Sequence, residues 1–260
     1  MELTYASYLG TDKLLDLQHP RSSPPEHDEM LFIVIHQSYE LWFKLLLHEL
    51  EKIKADFRRN DLFGAVHTFK RVRTVMKSLV GQLDILETMT PMSFTSFRNR
   101  LDTASGFQSV QFRELEFLLG YKRPEMIQYH KPGMAAHETL TRRFGERSVV
   151  DYFYMFLQAR AVPVPARLLE RDVTLPTEAS EEVQRGILDL YRNDPAVGIL
   201  FELMTDFDEG LLEWRYRHVM LVARTIGEKR GTGGSLGVGF LKKSLFHPLF
   251  PDLWAIRHEL

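Results

Sequence analysis

Between Pro195 and Arg230 the chain carries no further proline, and glycine only at Gly198, Gly210 and Gly227. So long a run without a breaker reads as one helix of about 50 Å at ~1.5 Å per residue. Only partners of comparable length can cover its apolar side, which excludes most small mixed folds at once. Asp194-Pro195 supplies the start, an N-cap acceptor followed by proline at the first helical position, and Gly231 stands where a C′ residue would end it. Met204, Phe207, Leu211, Trp214, His218, Leu221 and Thr225 recur at alternating spacings of three and four, which makes one inward-facing stripe. Arg215 and Arg217 flank His218 and are expected to point elsewhere.

The remaining punctuation is also helical. Ser23-Pro24-Pro25-Glu26 has the form of a capping box with proline in the first turn, and the acids Asp28 and Glu29 follow, so a helix is expected to about Arg59. Thr90-Pro91 opens another in the same manner. Further helix is expected near 61–88 and between 137 and 160, with a loop over 161–180 containing Pro163, Pro165 and Pro176. No Asn-Gly or Asp-Gly turn separates alternating apolar runs, so strands are not expected. The fold class is therefore all-α, a single helical bundle domain over 25–260. Residues 1–24 form an arm whose Tyr5, Tyr8, Leu9, Leu14, Leu15 and Leu17 need an apolar surface, either on this core or on a neighbouring subunit.

Absences narrow the chemistry. With no cysteine among 260 residues, disulfides, thiolate nucleophiles, cysteine-ligated clusters and thiolate-ligated haem are all excluded. No Glu-x-x-His, His-Glu-x-x-His or Gly-x-Ser-x-Gly occurs, which argues against di-iron bundles, zinc hydrolases and nucleophile elbows. Redox chemistry would need a cofactor held by nitrogen or oxygen, and the ten histidines are the main candidates. The net charge of −2 comes without a basic block, so neither nucleic acid nor an anionic membrane is an expected partner. The longest purely apolar run, Met30 to Ile35, is six residues, and no signal peptide is apparent; a cytoplasmic address is expected.

Three side chains could carry chemistry. His218 sits on the apolar stripe, where spacing fits a buried neutral histidine and a metal or haem ligand equally. His36 shares a helix face with Phe32 and Glu40, as a core histidine held by Glu40 or as a polar group able to bond a ligand N–H. Arg98 shares a face with Phe94 and Leu101, either snorkelling to a surface ion pair or clamping a carboxylate. Between Gly231 and Gly239 five of nine residues are glycine, with Thr232 and Ser235 among them; no Gly-Lys-Ser/Thr closes a phosphate loop.

Taken together, several segments resemble the tryptophan 2,3-dioxygenase family. They are Tyr5-Ala6-Ser7-Tyr8-Leu9, His27-Asp28-Glu29-Met30-Leu31-Phe32, His36-Gln37-Ser38-Tyr39-Glu40-Leu41-Trp42, Ser105-Gly106-Phe107-Gln108-Ser109, Arg217-His218 and Lys229-Arg230-Gly231-Thr232-Gly233-Gly234-Ser235. They fall in family order and span almost the whole chain. The resemblance implies an all-helical homotetramer with one haem b per subunit, each N-terminal arm capping a neighbour's active site. It implies His218 as the axial iron ligand, His36 bonding the indole N–H, Arg98 on the substrate carboxylate and Thr232 on its ammonium or carboxylate. Phe32 and Phe94 would wall the indole, Ser105 and Gly106 would border the haem, and Tyr5, Tyr8 and Leu9 would enter from the partner. The implied reaction is O2-dependent opening of the indole C2–C3 bond of L-tryptophan, giving N-formyl-L-kynurenine. Phe94 stands where many bacterial members carry tyrosine, and Leu236 replaces the second serine usual after Gly-Gly-Ser. The alternatives are a related oxygenase that acts on a modified tryptophan or inserts one oxygen atom, and a non-catalytic haem or ligand sensor.

Overall fold

In a computed structural model, which describes residues 3–227, 229 and 237–260, the described residues contain helices and turns but no strand. Two short helices, α1 (Tyr5–Leu9) and α2 (Thr11–Leu14), precede the long α3 (His27–Arg58) and α4 (Leu62–Leu86). Then follow α5 (Pro91–Arg98), α6 (Val110–Leu118), α7 (Ala135–Phe144), α8 (Val149–Gln158) and the single turn α9 (Ala166–Leu169). The chain closes with α10 (Glu181–Asn193), α11 (Pro195–Ile226), α12 (Val238–Leu241) and α13 (Pro251–Ala255).

The helix starts follow local chemistry, with one correction. Thr90 Oγ1 accepts from Ser93 N, and Asp194 Oδ1 accepts from Ala196 N and Val197 N, as capping residues should. At α3 the cap is not Ser23. The chain bends at Ser23 and Pro24, Glu26 takes the N-cap position in extended conformation, and the helix begins at His27. Ser22 Oγ accepts from Glu26 N, and the buried Glu29 carboxylate accepts from the amides of Arg21 and Ser22, fastening that segment across the helix start. The far end of α11 also differs from expectation. The helix stops at Ile226 because Gly227 is reached first and adopts φ 61, a left-handed conformation that glycine tolerates. Gly231, expected there, lies outside the described residues. The stretch 137–160 is two helices, α7 and α8, separated by the Ser148 capping box; α6 and α10 were not foreseen.

Packing follows the apolar rows. Leu46, Leu50, Ile53 and Phe57 of α3, Phe69, Val72, Met76, Leu79 and Leu83 of α4, and Leu200, Met204, Phe207 and Leu211 of α11 all lie in one core. α4 packs against both α3 and α11, α8 and α6 cover α3, and α10 covers α11. Fully burying each such side chain contributes roughly 1.5–3 kcal/mol. Gly210 explains a glycine inside a long helix: a Cβ there would lie 2.8 Å from Met76 Cγ, so its absence lets α4 and α11 approach. α3 is also long and apolar enough, by length and composition alone, to cross a membrane. Here Ile35, Tyr39, Phe43 and Leu46 belong to the core, and Leu31, Phe32, Trp42, Leu45 and Leu47 are partly buried against it.

The C-terminal segment is clamped onto α11. Asp208, fully buried, accepts from Leu249 N at 2.8 Å, Phe250 N at 3.1 Å and Trp254 Nε1 at 3.0 Å. Two helical turns further along α11, Arg215 donates to the carbonyls of His247 and Ser244. By contrast α1 and α2 bury nothing, and Tyr5 and Tyr8 are 79% and 73% exposed. The arm is tied to α3 just beyond His36, where Gln37 Nε2 donates to Leu17 O and Gln18 Nε2 to Gln37 Oε1.

Asp208→Ala would leave three buried donors without an acceptor, each worth about 1–3 kcal/mol. Chemical denaturation should therefore show a loss of at least about 3 kcal/mol, and a smaller loss for Asp208→Asn, which keeps one acceptor oxygen. Parental stability in the alanine variant would remove Asp208 from the clamp.

Candidate functional site

One cavity of about 310 Å³ lies between α3, α5, α6 and α11, in the size range of small-molecule and cofactor pockets. Phe32, His36, Phe94, Arg98, Ser105, Gly106 and His218, all singled out by sequence, line it together. Tyr5, Tyr8 and Leu9 do not line the cavity of their own chain; they are exposed. Thr232 lies outside the described residues.

α11 presents His218 from its apolar stripe. The imidazole stacks on Trp214 one turn earlier, ring centroids 5.1 Å apart and planes 3° from parallel. Trp214 Nε1 donates to Tyr39 OH at 3.4 Å, and Tyr39 OH donates to Leu79 O at 2.7 Å, so α4 anchors the stack through α3. His218 is half-buried because it faces the cavity, yet protein encloses it closely. Burial lowers its pKa to about 4, with His36 and Arg113 adding repulsion, so the ring is neutral at ordinary pH. Among the described residues no cluster of three or more His, Cys, Asp or Glu could hold a metal ion. A lone neutral imidazole facing a cavity is a nitrogen donor of the kind that suits a metal whose other ligands come from a macrocycle.

α3 supplies the second imidazole. His36 Nδ1 lies 2.7 Å from Phe32 O. A carbonyl can only accept, so Nδ1 carries the hydrogen and, in the neutral ring, Nε2 is left as an acceptor. Of the two readings of this helix face, the one in which Glu40 holds His36 is not what forms. Its carboxylate instead accepts from Ser109 Oγ and Gln111 Nε2, joining the start of α6 to α3. His36 keeps exposed surface on the isolated chain, yet desolvation by the packed side chains around it lowers its pKa, outweighing Phe32 O and Glu40. Phe32 packs on the His36 ring at 4.1 Å and on Phe94 at 5.8 Å, and Phe97 meets both phenylalanines edge-on. A flat apolar slot with one nitrogen acceptor results.

Ser105 caps the turn Gly106–Gln108, its hydroxyl accepting from Phe107 N while Gln108 Oε1 accepts from Ser105 N. An added Cβ at Gly106 would meet nothing within 4 Å, so bare backbone borders the cavity there. Arg113, Glu116, Arg123 and Arg215, none of them singled out by sequence, line the same cavity. Arg215 was expected to point elsewhere; at three residues from His218 it shares that face, a signal present in the spacing. Arg217 does point away, to Asp84 and Glu87.

An all-helical bundle enclosing a mostly apolar cavity, with a neutral histidine projecting from its longest helix, defines a helical protein that binds a small molecule or cofactor internally. Comparison with known proteins narrows this. The sequence profile of the tryptophan 2,3-dioxygenase family matches residues 1–142 and 189–260. A tryptophan 2,3-dioxygenase of Herpetosiphon aurantiacus is 52% identical over 258 residues, covering 99% of this chain and 98% of the relative. Those of Anaeromyxobacter sp. strain K and Saccharopolyspora erythraea are 48% and 43% identical, covering 99% and 100% of this chain. The chain belongs to the tryptophan 2,3-dioxygenase family.

Imidazole NMR of the ligand-free protein should find His36 as the Nδ1–H tautomer, charging only below the ordinary histidine value of about 6.5. His218 should stay neutral down to about 4. A midpoint at or above the ordinary value for either ring would contradict this description of the cavity.

Proposed function

We propose that this protein is a haem-dependent dioxygenase that cleaves the indole C2–C3 bond of L-tryptophan with O2 to give N-formyl-L-kynurenine, the first step of tryptophan catabolism. The observation that carries it is a neutral His218 inside an apolar cavity that also holds His36, Arg98, Phe32 and Phe94. Three features fit haem b, one per subunit. His218 offers a lone neutral nitrogen, Gly106 leaves backbone bare beside the cavity, and Arg113 Nε and Arg123 Nε are buried without a hydrogen-bond partner among the described residues. Haem iron held by His218 would supply the dioxygen-binding centre, and a neutral imidazole lacks the strong push toward O–O cleavage of a thiolate.

The chain's own residues then bind and orient the substrate. Phe32 and Phe94 flank the indole, and His36 Nε2 accepts its N–H. Arg98 pairs with the carboxylate, and Thr232 bonds the ammonium or carboxylate. Ser105 and Gly106 border the haem. Because the apolar slot excludes water, proximity supplies much of the rate; well-oriented intramolecular cases reach about 7–11 kcal/mol. Tyr5, Tyr8 and Leu9 of a neighbouring subunit close the slot over His36. Supporting this, the arm of residues 1–24 leaves its aromatic residues exposed on its own chain while the His36 side of the cavity stays open. The assembly is a homotetramer, a dimer of dimers, of the catalytic domain 25–260, and the absence of cysteine accords with a cytoplasmic setting.

With 18O2, the product should carry two labelled atoms and an opened five-membered ring; one label with the ring intact would identify a monooxygenase instead. His218→Ala should lose haem or all activity, whereas His36→Ala should lower activity with haem retained. Loss of haem in the His36 variant would mean the two histidines are reversed. Arg98→Ala should weaken tryptophan binding by about 2–5 kcal/mol, as for a desolvated carboxylate partner. An unchanged dissociation constant would remove Arg98 from the substrate site.

A further inference from the structure

A second, much smaller void lies behind Trp214. It measures about 20 Å³ and sits where α3, α4, α6 and α11 meet, among Leu46, Met76, Leu79, Leu115, Phe207 and Leu211. The rings of Phe43, Phe112 and Trp214, together with Glu116 and Arg215, line both this void and the large cavity, so one layer of side chains separates the two. The void persists because its walls are held elsewhere. Gly210 fixes the approach of α4 to α11 at Met76, and Ser109 and Gln111 bond Glu40 to fix α6 on α3. With the helices held at those points, the side chains between them leave a gap that none can move to fill.

Size and polarity restrict what can occupy it. One water needs roughly 10–15 Å³ and two to four polar partners. The charged side chains at the border of the void are already engaged. Glu116 accepts from Arg113 and Arg123, and Arg215 donates to the carbonyls of Ser244 and His247. The rest of the lining is aliphatic, thioether and aromatic, and Leu46, Met76, Leu79 and Phe207 are all deeply buried. A dry apolar void of this volume suits a small gas molecule better than water, and it is too small for an organic ligand.

We propose that this void holds dioxygen and supplies it to the neighbouring cavity. The inference rests on dioxygen being the second substrate, as in the reaction proposed above. Dioxygen is apolar and diatomic, so it gains by leaving water for such a place without needing a hydrogen bond. Trp214 is fixed on two sides, by its stack on His218 and its bond to Tyr39. Phe112 is held only by packing, against Phe43, Trp214 and the guanidinium of Arg113. Rotation of the Phe112 ring is therefore the motion that opens the partition, on the fast timescale of side-chain hops. Gas released by it reaches the cavity of His36 and His218 without returning to solvent.

Dioxygen itself is the probe, because it is paramagnetic and speeds the relaxation of nuclei it approaches. Methyl relaxation is compared between samples equilibrated with dioxygen and with nitrogen, any haem being kept ferric so that iron binds no dioxygen. The methyls of Leu46 and Leu79 should gain at least about twice the relaxation of those of Leu50 and Ile53, which are equally deep in solid core, because gas collects where packed atoms are missing. Equal gains at all four residues overturn the site, and so does a water cross-peak to the Leu46 and Leu79 methyls. Leu115→Phe, which fills the void, should abolish the excess and raise the apparent KM for dioxygen by about twofold or more, with the KM for tryptophan unchanged. Leu115→Met, close to leucine in volume, should do neither. An excess abolished while the KM for dioxygen stays put overturns the supply role. The relaxation comparison on the parent protein needs no substitution, so it stands even where Leu115→Phe impairs folding. Parent protein that consumes no dioxygen with tryptophan overturns the reaction proposed above, while the relaxation gains still decide whether the void holds gas.

Discussion

The three long helices can bury their apolar rows only against one another, and every other feature of this protein is arranged around that constraint. α4 fills the space between α3 and α11, and Gly210 lets it come close at Met76. Closely packed helices transmit position along their length. The same packing that buries Leu46 and Phe207 therefore fixes where His36 and His218 stand, three turns away on α3 and α11, at the cavity. The site is made of the ends of core helices, which are rigid because their other ends are solid core.

Polar groups then close what apolar packing leaves open. Asp208 and Arg215 draw the C-terminal segment across α11, and Glu40 draws the start of α6 against α3. These bonds lie in dry surroundings, where an unpaired partner is expensive, so they specify one arrangement of the walls. The same dryness sets the chemistry of the two histidines. Desolvation keeps both neutral, one fit to act as a ligand and the other, by its bond to Phe32 O, as an acceptor.

Membership of the tryptophan 2,3-dioxygenase family gives these features a common purpose. A flat aromatic slot, a nitrogen acceptor at its edge and a cationic residue beside it suit an indole amino acid. The N-terminal arm leaves its aromatic residues exposed on its own chain. Each of these is a match of chemistry to place, and the places follow from helix ends and cap positions.

Local sequence determined a good deal. Proline after Thr90 and Asp194 set two helix starts, because a capping oxygen and a proline at the first helical position act within one turn. The stripe from Met204 to Thr225 put His218 on the inner face, because helical periodicity is a property of the helix alone. Tertiary structure decided the rest. Ser22 and Glu29 replaced Ser23 at the start of α3, since that cap depends on how the preceding segment folds back. Glu40 turned from His36 to Ser109 and Gln111, which are distant in sequence. Arg113 and Glu116 are neighbours on α6, but Arg123 joined them, and Arg215 of α11 came to line the same cavity, only in the folded chain, because spacing records a residue's neighbours on its own helix and says nothing of what will face it.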